Sequence, residues 1–223
     1  MKLRAISLFD ESGTILKPFA KAGYTCYAVD IKHSKETKKE IIGDGCIYYC
    51  HADFLNMADV EYWINRAAFF SESLDCFYGF GCAFVPCDHM AVSGARWFKG
   101  KGLRKLSESI ALFAAATEIL NAGNAPGFIE NPVSTISTYW RKPDYTFHPY
   151  YFTGYDQSDN YTKKTCLWSF NGWELPSSHR NIVLGAPDDR IHKAPPGDNR
   201  AAFRAATPNG FAIANFNHMA EQN

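Results

Sequence analysis

Short apolar runs alternate with amphipathic stretches over the first part of the chain. Five runs are rich in β-branched and aromatic residues and predict strands. They cover residues 3–9, 24–30, 47–53, 74–85 and 126–130. Three stretches between them repeat apolar residues at helical spacing and predict helices. These are residues 14–22, 58–70 and 103–122. Alternating strands and helices predict an α/β fold with a mostly parallel, doubly wound sheet.

The remainder of the chain is rich in Pro, Gly, Tyr and Asn, which indicates irregular structure. It contains short β-like pieces at 145–153 and 164–170 and a helix-like segment at 210–220. We therefore predict an α/β core over residues 1–133, followed by a small irregular region with a closing helix over residues 134–223. We expect the two to pack as one compact domain.

The composition is that of a folded domain of ordinary size. The 223 residues are 46% hydrophobic and 21% charged, which excludes global disorder. Aromatic residues make up 15%, and the sequence leaves open whether they serve core packing or base stacking. No stretch reaches the roughly 18 to 20 apolar residues of a membrane span. Since the opening segment also lacks the long apolar run of a signal peptide, we expect a cytoplasmic protein with reduced cysteines.

Charge and cysteine spacing narrow the classes of partner. The 23 basic and 23 acidic residues give a formal net charge of zero, which argues against extensive contact with a duplex. The basic residues after Asn131 meet few acids, so we expect a modest positive face on the C-terminal half. Cys46, Cys50 and His51 form a zinc-like grouping, but without a C-x-x-C pair we predict no metal.

Five predicted strands end at residues with useful chemistry. In chain order these are Gly13, Asp30, Asp53, Cys87 and Glu130. Ligands of parallel sheets bind outside the carboxyl ends of the strands, and these ends lie at one edge. The sequence therefore predicts a single site at that edge.

Cys87 and Glu130 carry the candidate chemistry of this edge. Cys87 follows Pro86, and we expect a nucleophile whose pKa is lowered by backbone dipoles or by Arg96. The proline after Asn131 restrains the chain beside Glu130. A raised pKa would let Glu130 act as an acid or hydrogen-bond donor. The simpler alternatives are an inert buried cysteine and a surface acid at a strand end.

The first predicted strand runs into a turn, Phe9-Asp10-Glu11-Ser12-Gly13. Its glycine would let a ligand approach the backbone, with the next helix N-terminus facing an anion. Because no G-x-G-x-x-G is present, a nicotinamide dinucleotide is disfavoured. Asp30 could accept hydrogen bonds from a ribose diol, and Asp53 could bind an adenine amino group or the next helix N-terminus. Taken singly, each acid could equally be a cap.

Longer strings around these residues resemble the S-adenosylmethionine-dependent cytosine-C5 DNA methyltransferases. They are most similar to the small cytosine-methyltransferase-like proteins of bacteriophages. The strings are PCDHMAVSGARWF at 86–98, IENPVSTIS at 129–137, YWRKPDY at 139–145, KKTCLW at 163–168 and APPGDNRAAFRAATPNGFAIAN at 194–215. The resemblance covers most of the chain, and the string at 86–98 is specific.

The resemblance implies a Rossmann-like methyltransferase fold that uses S-adenosylmethionine to methylate DNA, in the host cytoplasm if the protein is phage-encoded. Cys87 would add to C6 of cytosine, Glu130 would hold the N3/N4 edge of the base, and Arg141 would take the role of the family's Q-R-R arginine. The implied cofactor contacts are Phe9, Ser12, Gly13, Asp30, Asp53 and Pro86. The implied substrate contacts are Ser93, Arg96, Lys163, Lys164, Arg200 and Arg204. Candidates for stacking on the base are Trp97, Tyr139, Trp140 and Trp168.

Four departures from the family pattern keep other functions open. The cofactor turn has one glycine where larger family members have two, and Val85 replaces the first proline of P-P-C. The Q-R-R motif of the family is not evident, and only residues 131–223 follow Glu130. One alternative is a methyltransferase of single strands, RNA or a free pyrimidine nucleotide. Another is a non-catalytic anti-defence protein that binds cofactor or nucleic acid, although binding alone would need neither Cys87 nor Glu130.

Overall fold

The computed structural model describes residues 2–72, 76–193 and 203–222, which form an eight-stranded sheet flanked by helices. The strands are β1 (Lys2–Leu8), β2 (Thr25–Asp30), β3 (Lys38–Ile42), β4 (Gly45–His51), β5 (Cys76–Phe84), β6 (Gly127–Asn131), β7 (Tyr145–Phe147) and β8 (Thr165–Phe170). The α-helices are α1 (Lys17–Lys21), α2 (Met57–Glu72), α3 (Phe98–Gly123), α4 (Ile136–Tyr139), α5 (Arg190–Lys193) and α6 (Asn209–Glu221). Short 3-10 helices occupy Thr14–Leu16, Val92–Trp97, Pro149–Phe152, Gln157–Asp159 and Ile182–Leu184.

The sheet is mixed but mostly parallel, in the order β3-β4-β2-β1-β5-β6-β8-β7. Five adjacent strands, β4, β2, β1, β5 and β6, run parallel to one another. Strand β3 pairs antiparallel with β4, β8 pairs antiparallel with β6, and β7 pairs antiparallel with β8. The prediction of an α/β fold with a mostly parallel sheet is confirmed.

Each face of the sheet carries its own hydrophobic core. Successive strand residues point to opposite faces, so Phe128 and Ile129 of β6 belong to different cores. On the Ile129 face, α2 and α3 cover the sheet, with Trp63 and Phe113 buried against it. On the Phe128 face, α1 and α6 supply Phe19 and Phe211. The sheet is therefore buried on both faces, as the almost uncharged strand sequences indicate.

The main difference from the predicted elements is β3, which the apolar pattern does not reveal. Its sequence, KKEII, is almost wholly exposed at the edge of the sheet, so it lacks the alternation of a half-buried strand. Helix α3 begins earlier than expected and is interrupted at Gly102, whose φ is 79°. Ala114 of α3 is exposed, and the buried side of this helix includes Ala116 and Leu120.

The predicted strand at 145–153 is much shorter than expected. It ends at Phe147, and the 3-10 helix that begins at Pro149 takes up the rest. Among the described residues, the helices are either too short or too polar to cross a bilayer.

Candidate active site

The five parallel strands bring their carboxyl ends to one edge of the sheet. Gly13, Asp30, Asp53, Cys87 and Glu130 all lie at or just beyond these ends. The predicted convergence is therefore present. The strand order reverses between β1 and β5, since β2 lies on one side of β1 and β5 on the other. Ligands of α/β sheets bind at such a point.

The turn after β1 is organised by Asp10, which the sequence analysis did not single out. Asp10 is 4% exposed, and its Oδ1 accepts hydrogen bonds from the backbone N–H groups of Ser12 (3.0 Å) and Gly13 (2.8 Å). Ser7 donates to Oδ2 at 2.7 Å. Burial is the main cause that raises the pKa of Asp10, and these hydrogen bonds oppose it. The amides of Ser12 and Gly13 thus bind this carboxylate, although an anionic ligand was the expectation.

Gly13 itself is required by the local geometry. Its φ is 63°, in the left-handed region, and a Cβ there would lie 3.2 Å from the Tyr49 hydroxyl. The Tyr49 hydroxyl in turn donates to Glu40 on β3 at 2.6 Å. The glycine therefore lets β1 turn beneath a tyrosine of β4. The signal for this arrangement in the sequence is the Asp-x-Ser-Gly spacing of an Asx-type turn.

Asp30 and Asp53 each cap the turn that follows them. Asp30 Oδ1 accepts from Lys32 N at 2.8 Å, and Asp53 Oδ1 accepts from Leu55 N at 3.0 Å. In both residues Oδ2 has no hydrogen-bond donor among the described residues. Beside them, the side chains of Ile31 and Leu55 are 56% and 47% exposed. Free carboxylate oxygens next to exposed aliphatic groups could accept hydrogen bonds from the hydroxyl and amino groups of a nucleoside.

Charged residues in the turns after β1, β2 and β5 interact with one another. Lys32 forms an ion pair with Glu11 at 2.6 Å, and that hydrogen bond is the largest cause that raises the pKa of Lys32. Asp30 and Asp88 also raise it. Phe9 lies beneath these turns, with a φ of 55° and its ring 4.9 Å from that of Phe54. The turn residues and the segment after Cys87 therefore border one site.

Cys87 and Glu130 follow neighbouring strands, since Phe84 of β5 pairs with Glu130 of β6. The two loops are tied together by Asn131, which is fully buried and donates from Nδ2 to the Val85 carbonyl at 2.8 Å. Thr135 also donates from its backbone N–H to the Met90 carbonyl at 3.1 Å. The cysteine and the glutamate are thus held by a shared framework. Asn131 is a positioning residue that sequence reasoning missed, although it stands within the E-N-P string.

The electrostatics of Cys87 differ from expectation. Burial, followed by the carboxylates of Glu130 and Asp88, raises the pKa of the Cys87 thiol to about 11, and only Lys163 notably opposes this. The expected lowering by Arg96 is wrong, because that exposed guanidinium stacks on Trp97 at 5.0 Å. Burial also raises the pKa of Glu130, again against Lys163. In the free protein Cys87 is a thiol, and Glu130 binds its proton more tightly than an ordinary glutamate.

Lys163 is the cation that acts on both groups. It lies two residues before β8, whose Leu167 pairs with Glu130. Its Nζ donates to the Ala206 carbonyl at 3.2 Å, and it forms no ion pair with the described residues. Lys164, its neighbour, is exposed and acts instead on His148, whose pKa is lowered by burial and by this lysine.

Arg141 is not brought to this pair. It donates to Asp144 Oδ2 at 2.5 Å and to the Ser169 carbonyl at 3.0 Å, and it packs 5.9 Å from the Phe170 ring. Phe170 belongs to the Ile129 core, whereas Glu130 points to the opposite face. The Arg141 side chain thus holds the start of β7 to β8.

The remaining predicted contacts lie around the edge. Pro86, Ser93, Arg96 and Arg204 are exposed, and Arg200 lies outside the described residues. Among the stacking candidates, Trp168 is fully buried and cannot meet a ligand, whereas Trp97, Tyr139 and Trp140 are at least 45% exposed. Within the described ranges, His, Cys, Asp and Glu side chains form no group of three or more that could hold a metal ion.

No protein-family model matches the chain, and no curated protein matches it significantly. The Cys87 thiol and the Glu130 carboxyl both have raised pKa values and lie at the same edge of the sheet as Lys163. The neighbouring turns carry the free carboxylate oxygens of Asp30 and Asp53. This set can form a covalent bond to an electrophilic carbon and transfer a proton next to it.

Proposed function

We propose that this protein is an S-adenosylmethionine-dependent methyltransferase that adds a methyl group to C5 of cytosine in DNA. The observation that carries the proposal is the pairing of Cys87 with Glu130 on adjacent strands, linked by the buried Asn131 amide. A binding protein has no need of a nucleophile and an acid coupled in this way.

The order of the strands supports a Rossmann-like methyltransferase fold. Numbered among themselves, the five parallel strands run 3-2-1-4-5, which matches the start of the doubly wound order. The antiparallel strands β8 and β7 extend the sheet beyond β6. Cofactor and substrate would then meet at the reversal between β1 and β5.

The residues at this reversal fit S-adenosylmethionine. Asp30 would accept hydrogen bonds from the ribose diol through its free Oδ2, and Asp53 would accept from the adenine amino group. Ile31 and Leu55 would cover the apolar faces of the nucleoside. When bound, the cofactor supplies an electrophilic methyl group to the reacting carbon.

The chain's own residues then manage the base. Cys87 Sγ, as thiolate, bonds to C6, and the electron pair of the C5–C6 double bond shifts into the ring. Burial raises the pKa of Glu130, which favours the protonated carboxyl that donates a proton to N3. After the methyl group has passed to C5 and left S-adenosylhomocysteine, the C5 proton passes to a solvent water, the S–C6 bond breaks and N3 returns its proton to Glu130. This step restores the double bond and returns the thiolate. Lys163 stabilises the thiolate and the Glu130 carboxylate at the points where each carries charge.

The target base must leave a stacked strand to reach Cys87, because the reacting atoms of a paired base are shielded by its neighbours. Cys87 and Glu130 lie at the carboxyl ends of β5 and β6, which is where such an extruded base would have to enter. This requirement makes single-stranded substrates a necessary arm of the test.

The test combines methyl transfer with trapping of the adduct. Isotopically labelled S-adenosylmethionine is incubated with duplex DNA, single-stranded DNA, RNA and deoxycytidine monophosphate, with 5-fluorocytosine-containing substrates in parallel. We expect label in DNA and a covalent adduct, both lost in Cys87→Ala. The matched control is Cys50→Ala, which removes another partly buried cysteine and should retain both. Transfer that survives in Cys87→Ala would contradict the proposed mechanism.

The raised pKa of Cys87 favours a second candidate, a non-catalytic protein that binds cofactor or nucleic acid. A nucleophile that is almost entirely protonated near neutral pH reacts slowly unless substrate binding changes its surroundings. Binding of S-adenosylmethionine without label in any substrate, and without a trapped adduct, would select this candidate.

A further inference from the structure

Five of the chain's 23 basic residues fall within ten positions, residues 96–105, and no acid interrupts them. We call RWFKGKGLRK the basic segment; its cations are Arg96, Lys99, Lys101, Arg104 and Lys105. Because the whole chain has a formal charge of zero, the rest of it is net acidic. A polyanion would therefore be drawn to this segment.

Two of the five cations are available to a partner, whereas Lys105 forms an ion pair with Glu108 at 2.7 Å. Lys99 and Arg104 are exposed and make no hydrogen bond or ion pair with the described residues. Trp97 and Leu103, which also belong to the basic segment, are 60% and 83% exposed. A surface kept only for solvation has no reason to expose large apolar side chains among its charges, whereas a stacking surface for nucleic acid does.

The glycines around these cations are not required by side-chain packing. A Cβ at Gly94, Gly100 or Gly102 would meet no atom within 4 Å. Gly102 also interrupts α3 in the left-handed region. Glycine in a helix costs about 1 kcal/mol relative to alanine, and no packing within the chain offsets that cost here. Such glycines allow the main chain of a partner, or its phosphates, to come close.

The basic segment borders the candidate active site. Lys101 donates from Nζ to the carbonyl of Asp88, the residue after Cys87. Upstream of the segment, Val92 donates from its backbone N–H to the Val133 carbonyl at 2.9 Å, next to the loop that follows Glu130. A ligand that places a base at Cys87 would therefore have its neighbouring groups over the basic segment.

We propose that the basic segment binds the phosphates that flank the target cytosine, so that the substrate is a polynucleotide and a free pyrimidine nucleotide is excluded. This inference rests on the proposed function. A lone nucleotide carries its phosphate at one end and could engage at most a fraction of the five cations. A strand that carries one phosphate per nucleotide matches their spread along the segment.

The test measures how salt affects binding to fluorescein-labelled single-stranded and duplex oligonucleotides of about 20 nucleotides, from about 50 mM to about 200 mM salt. The variant is Lys99→Gln/Arg104→Gln. The matched control is Lys21→Gln/Lys38→Gln, which removes two exposed lysines from α1 and β3. Removing two phosphate contacts should reduce the slope of log K against log salt by about 1.4 for single strands or about 1.8 for duplex. The control should keep the slope of the wild-type protein.

Equal slopes in the wild-type protein and in both variants would overturn the inference. So would methyl transfer to deoxycytidine monophosphate at the rate seen with an oligonucleotide, while the methyltransferase proposal itself would stand. Failure of the proposed function alone can also be recognised. If the slope falls only in Lys99→Gln/Arg104→Gln but no substrate is methylated, the phosphate contact holds and the proposed function fails.

Discussion

Replacing Glu130 by glutamine should make the Cys87 thiol easier to ionise. The pKa of this thiol is raised from 9.0 to about 11, with burial as the largest cause and the Glu130 carboxylate as the next. Since each pKa unit corresponds to about 1.4 kcal/mol, the whole shift is about 3 kcal/mol. Burial takes the larger share, so removing the Glu130 carboxylate should lower the pKa by less than the whole shift. Each unit by which Glu130→Gln lowers the pKa raises the thiolate population about tenfold.

Alkylation by iodoacetamide measures this change directly, because only the thiolate reacts. The rate at Cys87 is followed by mass spectrometry of its peptide between about pH 7 and about pH 9.5, where the rate is proportional to the thiolate fraction. Glu130→Gln should react faster than the wild-type protein at each pH, by about tenfold for each unit by which the pKa of Cys87 falls. Lys163→Gln should react more slowly, since Lys163 lowers the pKa of Cys87.

The control is Glu118→Gln, which removes an exposed carboxylate of α3 and should leave the rate unchanged. An unchanged rate in Glu130→Gln would refute the electrostatic coupling. A change of the same sign in Glu130→Gln and Lys163→Gln would refute it too, because removing opposite charges must have opposite effects.

Two further substitutions test the frame around the site. Asn131→Ala leaves the buried Val85 carbonyl without its donor, so the free energy of unfolding should fall by about 1 to 3 kcal/mol in urea denaturation. Asp159→Asn should instead increase the free energy of unfolding, and only at high pH. Burial raises the pKa of Asp159 to about 6, because the folded state favours the protonated side chain. The stabilisation by this protonated form is fully present below about pH 4 and is lost as the pH rises through about 6. Asparagine stays neutral and can still accept from Gly210 N, at 2.7 Å in the wild-type protein. The variant should therefore be up to about 3 kcal/mol more stable near pH 8 and equally stable near pH 4.

Each of these expectations has a clear contrary result. Urea midpoints of Asn131→Ala equal to those of the wild-type protein would show that another group replaces the lost donor. A stability difference for Asp159→Asn that does not vary between about pH 4 and about pH 8 would show that Asp159 titrates normally in the fold.

The sequence predicts the elements whose residues are buried and periodic, and it does not predict features that depend on side-chain contacts or strand pairing. The runs ending at Asp30 and Glu130 were placed within one residue, because strands buried on both faces are continuous apolar sequence. Strand β3 was not predicted, because its pairing with β4 stabilises it and its exposed residues show no alternation.

The candidate site was predicted in position but not in electrostatics. The strand ends locate Cys87 and Glu130, since parallel strands must share an edge. The sign of the pKa shift of Cys87 depends on how deeply its loop is buried and on the nearest charges. Neither can be read from spacing along the chain. Arg141 shows the same limit, because a motif places a residue in sequence but not on a given face of the sheet.

Helix α6 has a consequence for how this protein is made. It packs on α1 and on the 3-10 helix Thr14–Leu16, so the last described helix closes the core begun by the first. On the ribosome, that core stays open to solvent until residue 221 has been synthesised. The roughly 90 residues between β6 and that point take about 5 to 20 s to add. During this interval Phe19 and Phe128 lack the partner that covers them, so nascent chains should depend on chaperones that shield apolar surface.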